Sequence, residues 1–331
     1  MTSENPRPAA PLPAAGRVLA LCGGIGGAKL VLGLDAVLGS GRLTVIVNTG
    51  DDFEHLGLHV APDLDTVLYA LAGLSDPVRG WGRADETWNF MGALRELGGE
   101  AWFDLGDRDL AVHVERTRRL RAGETLTSIA ADMARRLNIA TRIAPMTDDA
   151  VRTIVQTREG PMPFQHYFVR HACAPAVTGV SFAGASEARP NPVFVDAVAD
   201  PSLAAIVICP SNPYLSVDPI LAVPGVREAL QRSTVPVIAV SPIIGGEAVK
   251  GPTAKIMKEL GIAVTSRSIF EHYHELIDGL VIDAADAADA DHLDVPVTVR
   301  RTLMISTEDK RNLARDVLVF AEQIANERET A

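Results

Sequence analysis

Apolar runs too short for helices recur along this chain, at 18–22, 43–47, 203–209, 235–240 and 280–283. They lack polar alternation, which predicts strands buried on both faces, as in a parallel sheet, and the more polar stretch 297–304 reads as a further strand. Between several of them apolar residues fall at helical spacing, for example 64, 67, 68 and 71, or along 86–97 and 309–327. The alternation predicts an α/β chain: Rossmann-like, with a mainly parallel doubly wound sheet. The stretch 105–138 reads as two helices parted by Arg121-Ala122-Gly123, and 142–182 shifts to short β-like runs at 152–157 and 166–170. This predicts an inserted helical and β cap region, around 100–182, that leaves the main sheet. Residues 1–16, rich in Pro and Ala without periodicity, are expected to be a disordered tail before a single domain, 17–331. The Ala/Asp tract 283–294 reads as a surface connection.

Candidate chemistry gathers where the first two strands end. The run 18–22 breaks into Gly23, Gly24, Ile25, Gly26 and Gly27, then a helical pattern extends to Gly39. Glycines let backbone N–H groups close on an oxyanion, and a helix starting near Gly27 would aim its positive end there. The plainer alternative is a strand-to-helix turn that binds nothing. As an anion loop it fits neither common class. Lys29 stands where the dinucleotide fingerprint has its last glycine, and Leu30 follows it where a P-loop requires Ser or Thr.

The second run ends in Asn48-Thr49-Gly50-Asp51-Asp52, with Asp63 and Asp65 a short loop further on. Carboxylates at the carboxyl edge of a sheet are hard donors suited to Mg²⁺, with water and substrate phosphate completing its shell. Asp63 and Asp65 flank a helix start and, two residues apart, point about 200° apart. One is then expected to cap the helix and the other to enter the site. The favoured assignment makes Asp63 the cap and Asp65 a metal ligand with Asp52 and Asp51. In the alternative all four acids are caps and solvated loop residues. His55 and His59 lack partners at zinc spacing. After 203–209 come Pro210-Ser211-Asn212-Pro213 and Ser216, polar groups at the same predicted sheet edge, and 235–240 repeats the layout with Ser241-Pro242. Arg116, Arg118, Arg119 and Arg121 read as a solvated basic face.

Composition narrows the ligand. A net charge of −11 lacks the basic footprint of a nucleic-acid binder and suits a small anionic ligand held locally with a cation. Cys22, Cys173 and Cys209, without a CxxC, read as reduced core residues of a cytoplasmic protein. No apolar run reaches membrane-spanning length, and the N-terminal stretch lacks the apolar core of a secretion signal.

Taken in order, GGIGGAK, VNTGDD, PDLDTVLY, RGWG, ETWNF, LGDRDLAVH, CPSNPYLSVDPIL and SPIIGGEAVKGP resemble the 2-phospho-L-lactate transferase family, over nearly the whole chain after the tail. The resemblance implies a transferase of coenzyme F-420 biosynthesis. Its reaction moves phospholactate, phosphoenolpyruvate or phosphoglycerate from a guanosine diphosphate conjugate to the ribityl hydroxyl of 7,8-didemethyl-8-hydroxy-5-deazariboflavin, and GMP leaves. With the residue reading it assigns catalysis to Asp52, Asp65, Asp51 and Asp63, and Mg²⁺ to Asp52, Asp65 and Asp51. The donor falls to Gly23, Gly24, Gly26, Gly27, Lys29, Ser211, Asn212, Pro213 and Ser216. The acceptor falls to Asp52, Trp88, Asn89 and Met91, although Trp88 and Phe90 also read as core aromatics. Either Asp51 or Asp63 is offered as acceptor of the alcohol proton. Two small molecules are then the partners, with no nucleic acid and no membrane, and a homodimer is the commonest assembly for such enzymes. The rivals are a non-enzymatic nucleotide-sugar-binding metabolic regulator and a nicotinamide-dependent dehydrogenase, which Lys29 disfavours.

Overall fold

The computed structural model describes residues 16–249 and 251–330, so all but the last residue of the expected tail lies outside the described residues. In chain order the strands begin with β1 (Arg17–Cys22), β2 (Leu43–Val47), β3 (Phe53–His55), β4 (Leu58–Val60), β5 (Arg142–Pro145), β6 (Arg152–Thr157) and β7 (Gly160–Pro163). Then follow β8 (Val177–Ala183), β9 (Leu203–Ile208), β10 (Val237–Val240), β11 (Ile243–Ile244), β12 (Glu247–Ala248), β13 (Gly279–Asp283) and β14 (Val297–Arg300). One sheet runs β14-β13-β10-β9-β1-β2-β5, with every neighbouring pair parallel. The chain builds outward from β1 through β2 to β5, then returns to β9 on the other side of β1 and builds outward again. The order therefore reverses between β1 and β9, where an open α/β sheet leaves a crevice at its carboxyl edge.

Continuous apolar strands serve two cores because successive side chains point to opposite faces. Leu19, Leu21, Ile46, Ile206 and Ile208 pack on one face, and Val18, Ala20, Cys22, Val45, Val47 and Val207 on the other. The second face is covered by α1 (Gly24–Leu38), α2 (Pro62–Leu71) and the C-terminal helix Thr307–Thr330. No helix among the described residues is long and apolar enough to cross a membrane.

Between α2 and β5 lie α3 (Asn89–Glu96), α4 (Asp107–Arg121) and α5 (Leu126–Arg136). The excursion expected around 100–182 is interrupted by β5, which pairs with β2 at the sheet edge. Ile143 and Ala144 are buried in opposite cores, as a sheet strand requires, but four residues are too few to stand out from the β-like runs that follow. Past β5, β7-β6-β8 form a separate antiparallel sheet. The β-like run at 166–170 is a π-helical turn, His166–Arg170, because burying both Phe164 and Tyr167 against one core needs a helical rather than alternating spacing.

Helix α1 is held by the C-terminal helix at Gly33, where an added Cβ would overlap the Lys310 carbonyl and lie 3.2 Å from Ala314 Cβ. Gly33→Val should therefore push the two helices apart and destabilise the fold by roughly 1–3 kcal/mol. Urea unfolding checks this, and an unchanged midpoint would contradict the packing described.

Candidate functional site

The crevice is a cleft of about 560 Å³. Its walls come from the segments after β1, β2, β9, β10 and β14, represented by Gly24, Asp51, Ser211, Ser241 and Thr302, together with α2, α4 and the 164–169 segment. Gly23, Gly24, Gly26, Lys29, Ser211, Asn212 and Ser216 line it together, while Gly27 and Pro213 do not.

The glycines are required by crowding. A Cβ on Gly26 would stand 2.5 Å from the Pro210 carbonyl oxygen, one on Gly27 2.8 Å from Cys22 Sγ, and one on Gly23 2.6 Å from Ser216 Cβ. Helix α1 can thus start at Gly24 hard against the loop after β9. Two donors expected to cradle an anion are engaged within the protein. The Gly23 N–H donates to Ser211 Oγ (3.1 Å), and the Gly24 N–H to the Asp63 carboxylate. Ile25 and Gly26, whose first-turn N–H groups have no acceptor inside the helix, lie along the cleft. Lys29 lines it one turn on and donates to the Met304 carbonyl (2.8 Å).

The acids divide differently from expectation. Asp63 does not cap its own helix, whose N-cap is Ala61 without a side-chain bond. Its carboxylate reaches across to the start of α1 and accepts from Asn48 Nδ2 at 2.9 Å. Burial lifts its pKa to about 6, with hydrogen bonds from Asn48 and Gly24 opposing. Asp51 also lines the cleft. Its pKa is raised well above the carboxylate range by burial first and by the Asp63 charge second, and Oδ1 is buried without a partner. Asp65, expected as a metal ligand, is clamped by both Nη atoms of Arg116, with Nη1 to Oδ2 at 3.1 Å. Burial opposes the guanidinium charge, but the Asp65 carboxylate outweighs it and raises the Arg116 pKa. Asp52, expected on metal and acceptor, does not line the cleft. It is buried with Oδ2 3.5 Å from His59 Nε2, in the field of Arg152 and Arg116. Helical rotation explains the exchange of roles: of two residues 200° apart, Asp63 faces the glycine turn and Asp65 faces α4.

Arg116 is the largest fully buried side chain among the described residues, so the basic run is not wholly a solvated face. It shares one face of α4 with Asp109 and His113, at positions i, i+4 and i+7. Asp109 Oδ1 accepts from Tyr69 Oη at 2.5 Å, and His113 lies 3.4 Å from Asp109 and 3.7 Å from Asp65. Asp65, Asp109 and His113 offer ligand atoms within 4.8 Å of one another. The Arg116 guanidinium offsets one of the two carboxylate charges in that group, through Asp65. The i, i+4, i+7 spacing of charges was the sequence signal for this buried face.

ETWNF and the start of LGDRDLAVH have a structural task. Asp107 accepts from Thr87 Oγ1 and from the N–H groups of Asn89 and Phe90, capping α3, while Glu86 accepts from the N–H groups of Arg108 and Asp109, capping α4. The acceptor assignment is corrected accordingly. Asn89 Nδ2 is bound to Asp107 (2.9 Å), Met91 is buried in the protein, Trp88 lies under the Arg79 guanidinium, and none of the three lines the cleft. The aromatic side chains that do are Tyr69, Trp81, Trp102, Phe103, Phe164 and Phe168.

A profile of the family described as 2-phospho-L-lactate transferase CofD matches residues 18–317. A phosphoenolpyruvate transferase of Kitasatospora aureofaciens is 40% identical over 318 residues, 93% of this chain and 98% of that protein. A 2-phospho-L-lactate transferase of Methanosarcina mazei is 40% identical over 299 residues, 89% of this chain and 97% of that protein. Among solved structures, a UPF0052 family protein of Bacillus halodurans superposes with a TM-score of 0.62 at 17% identity, covering 92% of this chain and 98% of that one. At that identity the likeness concerns the fold alone.

Two outcomes follow from the charges. Asp65→Asn leaves the Arg116 charge buried without its partner and should cost about 3 kcal/mol of stability, which Asp65→Leu combined with Arg116→Met should largely restore. A single variant as stable as the parent would refute the buried pairing. Burial holds a proton on Asp63 to about pH 6, against the ordinary 3.8. The folded state therefore binds more protons there than the unfolded chain, and this stabilisation, full below about pH 3.8, is lost as pH rises through 6. In metal-free protein Asp63→Asn should flatten that loss and raise stability at pH 7 by roughly 2–3 kcal/mol, read by urea unfolding at pH 5 and 7.5.

Proposed function

The chain belongs to the 2-phospho-L-lactate transferase family, and from that premise we propose that it moves a phosphorylated three-carbon acid from its guanosine diphosphate conjugate to the ribityl hydroxyl of the 8-hydroxy-deazaflavin alcohol. The hydroxyl oxygen forms a bond to the phosphorus that carries the acid, the bond from that phosphorus to the GMP oxygen breaks, and a phosphodiester of coenzyme F-420 biosynthesis results. The observation that carries this reading is one cleft holding three buried carboxylates, of which Asp65 is paired with Arg116, a helix N-terminus, the Ser211–Ser216 loop and an aromatic wall. Relatives named for phosphoenolpyruvate and for 2-phospho-L-lactate are each 40% identical, so identity does not choose between the acids.

Asp51 and Asp63 would hold Mg²⁺, with Asp51 kept from the expected set and Asp63 in place of Asp52 and Asp65. The support is the fit of the donors: two carboxylates disfavoured in their charged form by burial, one with an unpartnered oxygen, both on the cleft wall. Bound there, the cation would neutralise diphosphate oxygens and the departing phosphate. The protein's part is alignment and charge placement. Helix α1 points its N-terminus at the donor, Lys29 adds a positive charge one turn on, and Ser216 and Asn212 offer a hydroxyl and an amide from the facing loop. Arg116 acts at a distance by fixing Asp65 and hence the first turn of α2, which carries Asp63. The same reading places the enzyme in the cytoplasm, consistent with three free cysteines, and as a homodimer, the commonest closed assembly.

Protein incubated with the deazaflavin alcohol, Mg²⁺ and each of the three guanosine diphosphate conjugates should release GMP with at least one of them. Asp51→Asn and Asp63→Asn should each lower turnover roughly 10²-fold or more, and chelation of the metal should suppress it reversibly. Folded protein that releases no GMP from any donor would reject the transferase reading. Turnover indifferent to chelation would reject Mg²⁺ alone.

A further inference from the structure

The loop after β9 is held from behind by a contact that the transfer step does not use. The chain there makes one π-helical turn, Pro213–Val217, with the Ser216 and Val217 N–H groups both donating to the Asn212 carbonyl (2.9 and 3.2 Å). The turn sorts its side chains by face. Asn212, Leu215 and Ser216 line the cleft, whereas Tyr214, Val217 and Asp218 do not. On the cleft side the loop is tied to Gly23 through Ser211 and to Asn48 through the Leu215 carbonyl. Behind it packs the helix Ser266–Tyr273, none of whose residues lines the cleft. In its last turn His272 places Nε2 2.8 Å from Asp218 Oδ1, and its ring meets Tyr214 edge-on, the centroids 4.9 Å apart. An ionised carboxylate only accepts, so the His272 Nε2–H donates to it. Both side chains are 20% exposed, which shields the bond from most of the solvent. At the other end of this helix Ser266 Oγ lies 3.1 Å from Ser241 Oγ on the cleft wall.

We infer that His272 and Asp218 are positioning residues for the donor: their hydrogen bond fixes the turn so that the Asn212 amide and the Ser216 hydroxyl face the diphosphate. The inference rests on the transferase reading and adds to it a pair outside the cleft that sets donor affinity and leaves acceptor affinity alone. Asn212 Oδ1 is spent on the N–H groups of Tyr214 and Leu215 (3.0 and 3.2 Å), while Nδ2 is buried without a partner. An amide donor left unmade in a buried place is costly until a ligand accepts from it. Because the two cap bonds lock the Asn212 side chain onto the turn, the direction of Nδ2 is the direction of the turn itself. Released from His272, the turn can rotate, and the donor then binds only the fraction of molecules in which it is aligned.

Two variants separate the hydrogen bond from the ring. His272→Phe keeps an aromatic ring against Tyr214 and removes the donor, whereas His272→Gln removes the ring and keeps an N–H of similar reach. Each is titrated with GDP and Mg²⁺ by calorimetry, and its KM is measured separately for the guanosine diphosphate conjugate and for the deazaflavin alcohol. His272→Phe and Asp218→Ala should each weaken GDP binding and raise KM for the conjugate about tenfold, with little change in KM for the alcohol. The double variant should lose no more than either alone, because both changes remove one bond. His272→Gln should recover most of the loss. Unchanged GDP affinity in His272→Phe and Asp218→Ala, an equal rise in both KM values, or a loss in His272→Gln that His272→Phe escapes would overturn the pair's role. Where one variant fails to fold, the other reads the same bond from its far end. Failure of both to fold would assign the bond to the fold and overturn the role as well. A parent that binds GDP but turns over no conjugate would instead strike the transferase reading, and the titration would still judge the pair.

Discussion

The amide of Asn48, fully buried at the end of β2, is the joint on which the site depends. Its Nδ2 donates to Asp63 on α2 and to the Leu215 carbonyl in the loop after β9 (3.3 Å), and its Oδ1 accepts from the Gly50 N–H (2.7 Å). Two segments distant in sequence and the turn that follows β2 are thereby fixed to one side chain in a low-dielectric setting, where each of these bonds is costly to lose. The position of Asp63, and through it the engagement of the α1 N-terminus, follows from that single amide. Crowding at Gly23, Gly26 and Gly27 then allows the first turn of α1 to meet the loop after β9 without a gap.

Charge is distributed around this joint by separating what is compensated from what is not. Asp65, on the cleft wall, has Arg116, and Asp52, which does not line the cleft, has the fields of Arg152 and Arg116. Asp51 and Asp63 have only amide and backbone donors against the cost of burial. An uncompensated buried carboxylate pair is unstable as a dianion, and the protein retains it on the cleft surface, where a cation can reach it. Asp65 is thus compensated and Asp63 is not, according to which way one helix turns each residue.

The motif-rich segments combine the same two tasks. ETWNF and LGDRD cap each other's helices through Asp107 and Glu86, and the helix so fixed delivers Asp109, His113 and Arg116 to the inner face. RGWG closes a projecting loop whose tryptophan reaches the cleft. Their chemistry at the cleft comes one helical turn or one loop residue away from the side chains that hold the backbone.

What the sequence determined by itself was the parallel α/β framework, the glycine turn and an acidic cluster, Asp51, Asp52, Asp63 and Asp65, expected near Ser211 and Ser216 at one sheet edge. Buried strands show as unbroken apolar runs, and strand ends necessarily share an edge when every connection is a crossover. Which acid faces the glycine turn and which faces arginine was decided only by tertiary structure, because Asp63 and Asp65 are chemically identical and their environments come from Asn48 and from Arg116, 15 and 51 residues away. The short strand β5 escaped notice because four residues carry too little periodicity. The roles of Trp88 and Asn89 escaped because an aromatic or an amide reads the same in sequence whether it meets ligand, arginine or a capping carboxylate. Local pattern specifies elements; the identity of a side chain's neighbour is a property of the assembled fold.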